Sequence, residues 1–353
     1  MLAITVVEAA VLLVVPLTVA AGLLLLTARR RSALVTPADD ATADAGTTAA
    51  ARRHAAIVSA LAWCTALVAP PLLLAPTERW AIDATRADPL TAGVLTGLAP
   101  ASAGLLYLGV HMIGERSWPR PTGSVRRAAL VRRTVGDIVP GWLRTVVLAW
   151  SGLLVATLVT CGVVATDGRS VTRAWPGGSS SAGPFPGWYY GLPLLVATVA
   201  VLAGAIGVLR LVAGRPAVVD AQLAWDLGLR RLSAHRVLRG VQLVIGVTTS
   251  GVLAVTAAAV TSIGRSDGAD AATGGALMAV VGAALAVLAA VVGVASIVIA
   301  LIPGQPARTP LVLDAIARAA ATAPTAGTAP IAGTAGTDAP GRMPPGGDAG
   351  ALP

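Results

Sequence analysis

Few side chains in this 353-residue sequence combine ionisable or nucleophilic chemistry with a position inside an apolar stretch. Glu8 is the one acidic residue well inside such a stretch, and His111 is the one histidine. An ionisable group in hydrocarbon is costly enough to demand a partner or a purpose, so these two are the candidates for proton- or cation-linked work. Glu8 lies near the start of its run, where a carboxylate reaches the head groups, and that plainer role competes with the functional one.

The remaining reactive residues do not assemble into a known chemistry. His54 and His235 flank apolar runs, and Cys64 and Cys161 each fall inside one, so no metal-ligand spacing emerges. A bis-histidine haem needs facing histidines inside a bundle, and only His111 qualifies. The two cysteines read as small hydrophobes rather than a disulfide. No HExxH, GxSxG or phosphate-binding glycine loop is present, and Ser151 has no histidine placed to activate it. All 26 basic residues are arginine, so a retinal Schiff base, a pyridoxal aldimine and a P-loop lysine are excluded. The absence of asparagine excludes N-glycosylation. The expectation is a protein that is not an enzyme, with no cofactor, metal or catalytic residue.

The arginines are the other candidate chemistry. Arg126, Arg127, Arg132, Arg133, Arg230 and Arg231 sit in two pairs and a third beyond, and guanidinium groups suit the phosphate of an anionic lipid or an acidic partner. The net charge of +9 would also fit nucleic acid, but the arginines lie in short connections beside apolar runs. There they set topology and meet the anionic inner leaflet, so no nucleic-acid partner is expected.

Seven apolar runs must position these residues, at about 2–28, 55–76, 89–113, 141–165, 190–213, 241–263 and 275–302. With 55% hydrophobic and 12% charged residues, the chain reads as an all-α integral membrane protein, a seven-span transmembrane helix bundle. The first run is followed, not preceded, by its arginines and is too long for a signal peptide, so it reads as an uncleaved span. The connection from Gly114 to Thr145 carries seven arginines and sets the orientation of the rest. On this topology only Arg79, Arg86, Arg169, Arg173 and Arg265 of the 26 arginines lie outside, which places the N-terminus outside and the C-terminus in the cytoplasm of a plasma-membrane protein. Residues 1–304 form the transmembrane domain. Residues 305–353, rich in Ala, Thr, Gly and Pro, read as a disordered cytoplasmic tail.

Two basic connections resemble each other. LVRRTVGDIV (Leu130 to Val139) and GLRRLSAHRV (Gly228 to Val237) align without gaps. Ala128, Val131, Val135, Ile138 and Trp142 share one helical face in the first, and Val218, Trp225, Leu229 and Leu232 in the second. Each predicts an amphipathic cytoplasmic loop helix lying on the inner leaflet, and together they suggest a duplicated hairpin. Between Thr166 and Trp188 the spacing predicts a Gly-, Ser- and Pro-rich loop that ends in an interfacial aromatic belt, Trp188, Tyr189 and Tyr190. Gly93 and Gly97, and Ala279, Gly282, Ala286, Ala289 and Gly293, are close-approach positions between helices. Thr248, Thr249, Ser250, Thr256 and Thr261 line the sixth run, where bonding to their own helix is the plain expectation. Pro70, Pro71, Pro100 and Pro193 predict kinks or ends.

The functional expectation is a non-enzymatic multi-pass membrane protein, a structural or interaction subunit of a membrane complex with a cytoplasmic or membrane protein partner. The alternative is a transporter or permease component for a small solute, resting on Glu8, the paired hairpins and the prolines.

Overall fold

The computed structural model describes residues 45–82, 89–118, 134–175, 178–216, 223–265 and 274–304. The first apolar run with Glu8, the arginines at 126, 127, 132 and 133, and everything beyond Gly304 lie outside the described residues.

The described chain is helical, with one β-hairpin. In order, α1 spans Ala45–Ile82, α2 Pro89–Arg116, α3 the single turn Val135–Ile138, and α4 Gly141–Val164. Strands β1 (Val171–Trp175) and β2 (Gly178–Ala182) follow, then α5 (Trp188–Gly214), α6 (Leu223–Gly264) and α7 (Gly275–Leu301). Five stretches are long and apolar enough to cross a membrane: Gly93–Arg116, Gly141–Val164, Trp188–Gly214, Asp226–Gly264 and Gly275–Leu301. The shortest of these has 24 residues, about 36 Å at 1.5 Å per residue, against a hydrocarbon core of about 30 Å. The second apolar run lies within α1. The described residues thus place five spanning helices where seven spans are expected.

Helix α6 is the centre of the bundle. In its span 56% of residues are buried, against 33% in α2, α4 and α5 and 22% in α7. It packs on α2, α4, α5 and α7, while α2 also packs on α1 and α5. Leu154, Leu158, Val201, Val208, Ile245 and Leu253 are almost wholly enclosed and fill the middle. The outward faces are apolar: Leu148 and Val163 on α4, Val196 and Val199 on α5, and Val280, Val287 and Val294 on α7 are all exposed. Exposed aliphatic faces of this extent belong in lipid.

Small residues set the close approaches. Gly93 and Gly97 face Tyr190 and Leu194 of α5, where an added Cβ would stand 3.0 and 3.5 Å from the neighbouring side chain. Gly282 and Gly293 of the α7 stripe face Thr261 and Ser250 of α6, and Ala289 accepts a 2.8 Å bond from Ser250 Oγ at its carbonyl. Ala286 of the same stripe points outward instead. Thr248, Thr249 and Thr256 donate to Val244, Ile245 and Val252 of their own helix, as expected. Pro100 and Pro193 lie inside α2 and α5 without ending them.

Two local expectations are corrected. Residues 223–240 form no separate helix on a leaflet surface: they are the first turns of α6, continuous with the sixth run over 42 residues. Apolar Val237, Leu238 and Val241 continue the buried face without a break, and no proline interrupts it. Leu229, expected on a lipid-facing stripe, is buried against Ala51, Ala55 and Trp118. In the matching stretch the helix stops after one turn, because Val139 is extended (φ −85°, ψ 125°) ahead of Pro140. The two aligned segments therefore do not share a conformation from residue 139 onward.

The second correction concerns Thr166 to Trp188. Val171 to Trp175 and Gly178 to Ala182 pair antiparallel, with Val171 opposite Ala182 and Trp175 opposite Gly178. The loop before them is tied by Asp167, whose carboxylate accepts from the Ser170 N–H (2.7 Å), the Ser170 hydroxyl (2.8 Å) and the Arg169 N–H (3.0 Å). Gly168 sits at φ +77°, a conformation that side chains disfavour, and its carbonyl accepts from Tyr189 N–H. Trp188 and Tyr189 are exposed at the mouth of α5, where an interfacial belt was expected.

Candidate functional site

The C-terminal ends of α2, α5 and α7 meet the N-terminal turns of α1, α4 and α6 at one end of the bundle. The first five turns of α6 carry Asp226, Arg230, Arg231, Ser233, His235, Arg236 and Arg239. Three and four residues apart on a helix share a face, so this run aims several cations into the neighbouring elements at once.

Arg230 is the most buried of them, with no exposed surface. Its Nε donates to Asp226 Oδ2 at 2.7 Å, and Nη2 reaches Oδ1 at 3.4 Å. Nη1 donates to the carbonyls of Val212 (2.8 Å) and Ala213 (2.9 Å), and Nη2 to that of Arg215 (2.8 Å). All five donors are engaged. The carbonyls belong to the last turn and the C-cap of α5, which has no intrahelical donors for them. Arg230 thus caps α5 from a neighbouring helix, with Asp226 balancing its charge. Expected as a contact for anionic lipid or a partner, it is turned wholly inward.

The other arginines repeat the pattern on different elements. Arg231 Nε donates to Asp137 O in α3 (3.1 Å), Arg236 Nη1 to Ala55 O in α1 (3.0 Å), and Arg239 Nη1 to Ile302 O at the end of α7 (3.2 Å). Tyr107 of α2 completes the set by donating its hydroxyl to Arg236 O at 2.7 Å. Helix α6 is therefore a hub whose polar atoms bond α1, α2, α3, α5 and α7 at a single end. The α3 turn is held by Asp137, whose carboxylate takes the Thr134 backbone N–H and hydroxyl at 2.8 Å each; those bonds, the backbone one first, lower its pKa.

A second buried pair lies beside the hub. Arg215 reaches Glu115 at 3.4 Å and Ser233 Oγ at 3.5 Å, and its guanidinium stacks 4.0 Å from the Trp118 ring. Burial lowers the Arg215 pKa, and the Glu115 carboxylate opposes that shift. Its Nε and Nη2 are buried without a hydrogen-bond partner. Orphaned in the same way are Arg239 Nε, His111 Nε2 and His235 Nδ1. His111, one of the two ionisable residues singled out by sequence, is 4% exposed with its ring against Tyr107 at 4.7 Å.

A small recess of about 10 Å³, room for about one water, lies between α1, α2 and α6 at this end. His54, Val58, His111, Glu115, Ser233 and Arg236 line it. His54 is held across it by a 2.9 Å bond to Gly114 O and an edge contact with Trp118.

Of the residues named from sequence, the structure brings His111 and Arg230 into one cluster and sets Arg231 at its rim. Glu115, Arg215, Arg236, Arg239 and Tyr107 are further members that sequence reading missed. One signal for an inward-facing Arg230 was available: Asp226 and Arg230 stand four apart, the spacing of a helical ion pair, within the stretch expected to be an amphipathic helix on the leaflet. Among the described residues no three His, Cys, Asp or Glu converge to hold a metal ion. Cys64 is exposed and Cys161 is buried beside Phe185, both as free thiols. No family model, curated protein or solved structure matches this chain.

Proposed function

We propose that this chain is a non-enzymatic multi-pass membrane protein of the plasma membrane, acting as a structural or interaction subunit of a membrane complex. It spans the bilayer seven times, with the arginine-rich end and the tail in the cytoplasm. The observation that carries this reading is the hub at the start of α6, which ties five other elements into one cross-braced platform at the cationic end. A braced end of this kind fixes where α2 ends and α4 begins, the two points between which the further arginines lie in the sequence. The positive-inside rule supports a cytoplasmic position for that end. A small-solute carrier is supported less well, because aliphatic side chains fill the middle of the bundle.

Partner capture tests the reading. The protein is extracted into native-lipid particles, and the chains that stay bound are identified by mass spectrometry. A stoichiometric cytoplasmic or membrane partner is expected, and it should be lost from an Arg132→Ala/Arg133→Ala/Arg231→Ala variant that extracts and elutes like the parent. Recovery of no partner rejects the subunit role, and recovery of extracytoplasmic proteins alone rejects the orientation. Arg230 is left intact in this variant, since its donors hold α5 to α6.

A further inference from the structure

The arginines of the cationic end fall into two sets. Arg230, Arg236 and Arg239 of α6 point into the bundle and bond carbonyls of other helices. Arg53, Arg116, Arg144 and Arg210 are exposed, one on each of α1, α2, α4 and α5. Each ends an exposed aliphatic stripe of its own helix. Arg53 is followed by Ile57 and Leu61, and Arg144 by Leu148 and Val155. Arg116 is preceded by Ile113 and Leu106, and Arg210 by Ile206 and Val199. Steps of three, four or seven residues keep a row on one face, so each guanidinium leaves its helix on the side turned to lipid. The four also stand at one level. Arg53 lies two residues before Ala55, the partner of Arg236, and Arg116 two after Gly114, the partner of His54. Arg144 follows Trp142, whose ring is 6.1 Å from His235, and Arg210 precedes Val212, which accepts from Arg230. Residues 230–236 of α6, a rise of about 9 Å, therefore mark the depth of all four. On α5 the stripe has a length. It runs from exposed Tyr189 to Arg210, 21 positions on, or about 32 Å against a hydrocarbon core of about 30 Å.

We propose that Arg53, Arg116, Arg144 and Arg210 mark the head-group plane of the leaflet at this end and bind anionic phospholipid, with phosphates at the guanidinium groups and acyl chains along the stripes. Arginine stems cover apolar surface while their heads reach the interface, which suits cations at the end of a lipid-facing row. An anionic lipid complements their charge, and guanidinium–phosphate bonds are charge-assisted. An aromatic ring at one edge of the α5 stripe and a cation at the other is the arrangement that the two interfaces favour. A protein partner fits these positions less well, because the four are spread over four helices and each sits on the face that acyl chains cover. These contacts require only that the spans cross a bilayer, and they are separate from any protein contact through Arg132, Arg133 and Arg231.

The test uses the full-length protein in phosphatidylcholine vesicles that carry a trace of spin-labelled phosphatidylglycerol or spin-labelled phosphatidylcholine. Electron paramagnetic resonance gives the share of each label that the protein surface immobilises, and the ratio of the two gives relative affinity. Beside a single arginine the preference for the anionic lipid should be roughly five-fold. Averaged over the whole lipid shell it should be roughly two-fold at low salt and should fall towards one at 1 M salt. Both leaflets of the vesicle are alike, so the result does not depend on which side of a cell membrane this end faces. The variant Arg53→Gln/Arg116→Gln/Arg144→Gln/Arg210→Gln should bring the ratio close to one, while Lys at the same four positions keeps the charge and should keep the preference. Arg169→Gln, in the loop at the other end, should leave it unchanged. Where the fourfold Gln variant does not fold, Arg144→Gln and Arg210→Gln are read singly, and each should lower the ratio. Equal immobilisation of the two labels by the parent protein overturns the proposal. So does a preference that survives the Gln replacements, which would give the anionic lipid to other arginines.

Discussion

The two ends of the bundle handle charge in opposite ways. At the hairpin end, Asp167 serves its own loop: its partners are Arg169 and Ser170, two and three residues on, and all three lie at or near the surface. The β-strands beside it pair within a dozen residues of chain. At the cationic end local pairs such as Asp226 and Arg230 are joined by bonds between distant elements. Tyr107 bonds a residue 129 positions away, Arg236 one 181 away, and Arg239 one 63 away. Exposed groups that water already satisfies shape a turn and contribute little more. Buried groups must be satisfied by whatever helix is adjacent, and in doing so they fix which helices are adjacent. The hairpin end should therefore tolerate polar substitution, and the cationic end should not.

The largest effect is expected at Arg230. Arg230→Ala strips the last carbonyls of α5 of their donors and leaves Asp226 buried beside an empty space. Removing one partner of a buried ion pair costs about 3–5 kcal/mol. Denaturant unfolding in detergent should register that loss, whereas Arg53→Ala, at an exposed position of α1, should change stability by no more than about 0.5 kcal/mol. The double variant Arg230→Met/Asp226→Leu removes both charges and should recover part of the loss, because apolar replacement of a whole buried pair is often tolerated. Equal costs for Arg230→Ala and Arg53→Ala would remove the contrast between buried and exposed arginines at this end.

The same contrast explains what the amino-acid order makes legible. Apolar runs announce helices long enough to span, and the helices at 89–116, 141–164, 188–214 and 275–301 agree with the runs to within a few residues. The start of α6 was not legible, since arginines beside an apolar run carry the same signature whether they lie on a leaflet or point into a protein. Only the bundle decides, by placing α5 carbonyls beside Arg230 and a carboxylate four residues before it. His111 could be singled out because an ionisable residue within a span is rare. Arg236, Arg239, Glu115 and Tyr107 could not, because their partners are more than 60 residues distant or, for Glu115, the unusual Arg215 100 residues on. The hairpin is the reverse case: its pairing is local, but Val171 to Trp175 alternates in burial and not in residue type, and its partner is Gly- and Ser-rich, so the sequence carries little strand signal.

A single neutral bond at the cationic end gives a finer comparison. Tyr107→Phe keeps the ring against Trp63 and His111 and removes only the donor to Arg236 O. The expected loss is about 0.5–1.5 kcal/mol, the net worth of a typical hydrogen bond. Ser170→Ala removes a hydroxyl bond of similar length at the hairpin end, 2.8 Å to Asp167, yet leaves the Asp167 carboxylate exposed and free to bond water instead. Its cost should fall below that of Tyr107→Phe in the same unfolding assay. A larger cost for Ser170→Ala would mean that burial is the wrong axis on which to compare the ends.

The smallest effect is a pH dependence, and its sign follows from Asp167. The Arg169 backbone N–H first, then the Ser170 hydroxyl and backbone N–H and the Arg169 side chain, hold its pKa down to about 2. An unfolded aspartate titrates at about 3.9. A depressed folded pKa means that the carboxylate stabilises the folded loop fully above about 4, and that this contribution fades as pH falls through about 2. Acidification across that window should speed amide exchange at Arg169 and Ser170, whose N–H groups the carboxylate accepts. Asp167→Asn should exchange faster throughout and show no step between pH 4 and pH 2 beyond the intrinsic one. The amides of α6 around Arg230 should not follow the step, because their protection rests on the bundle and not on one exposed turn. A step shared by both ends would show that the hairpin is coupled to the hub, and the two ends would then have to be treated as one cooperative unit.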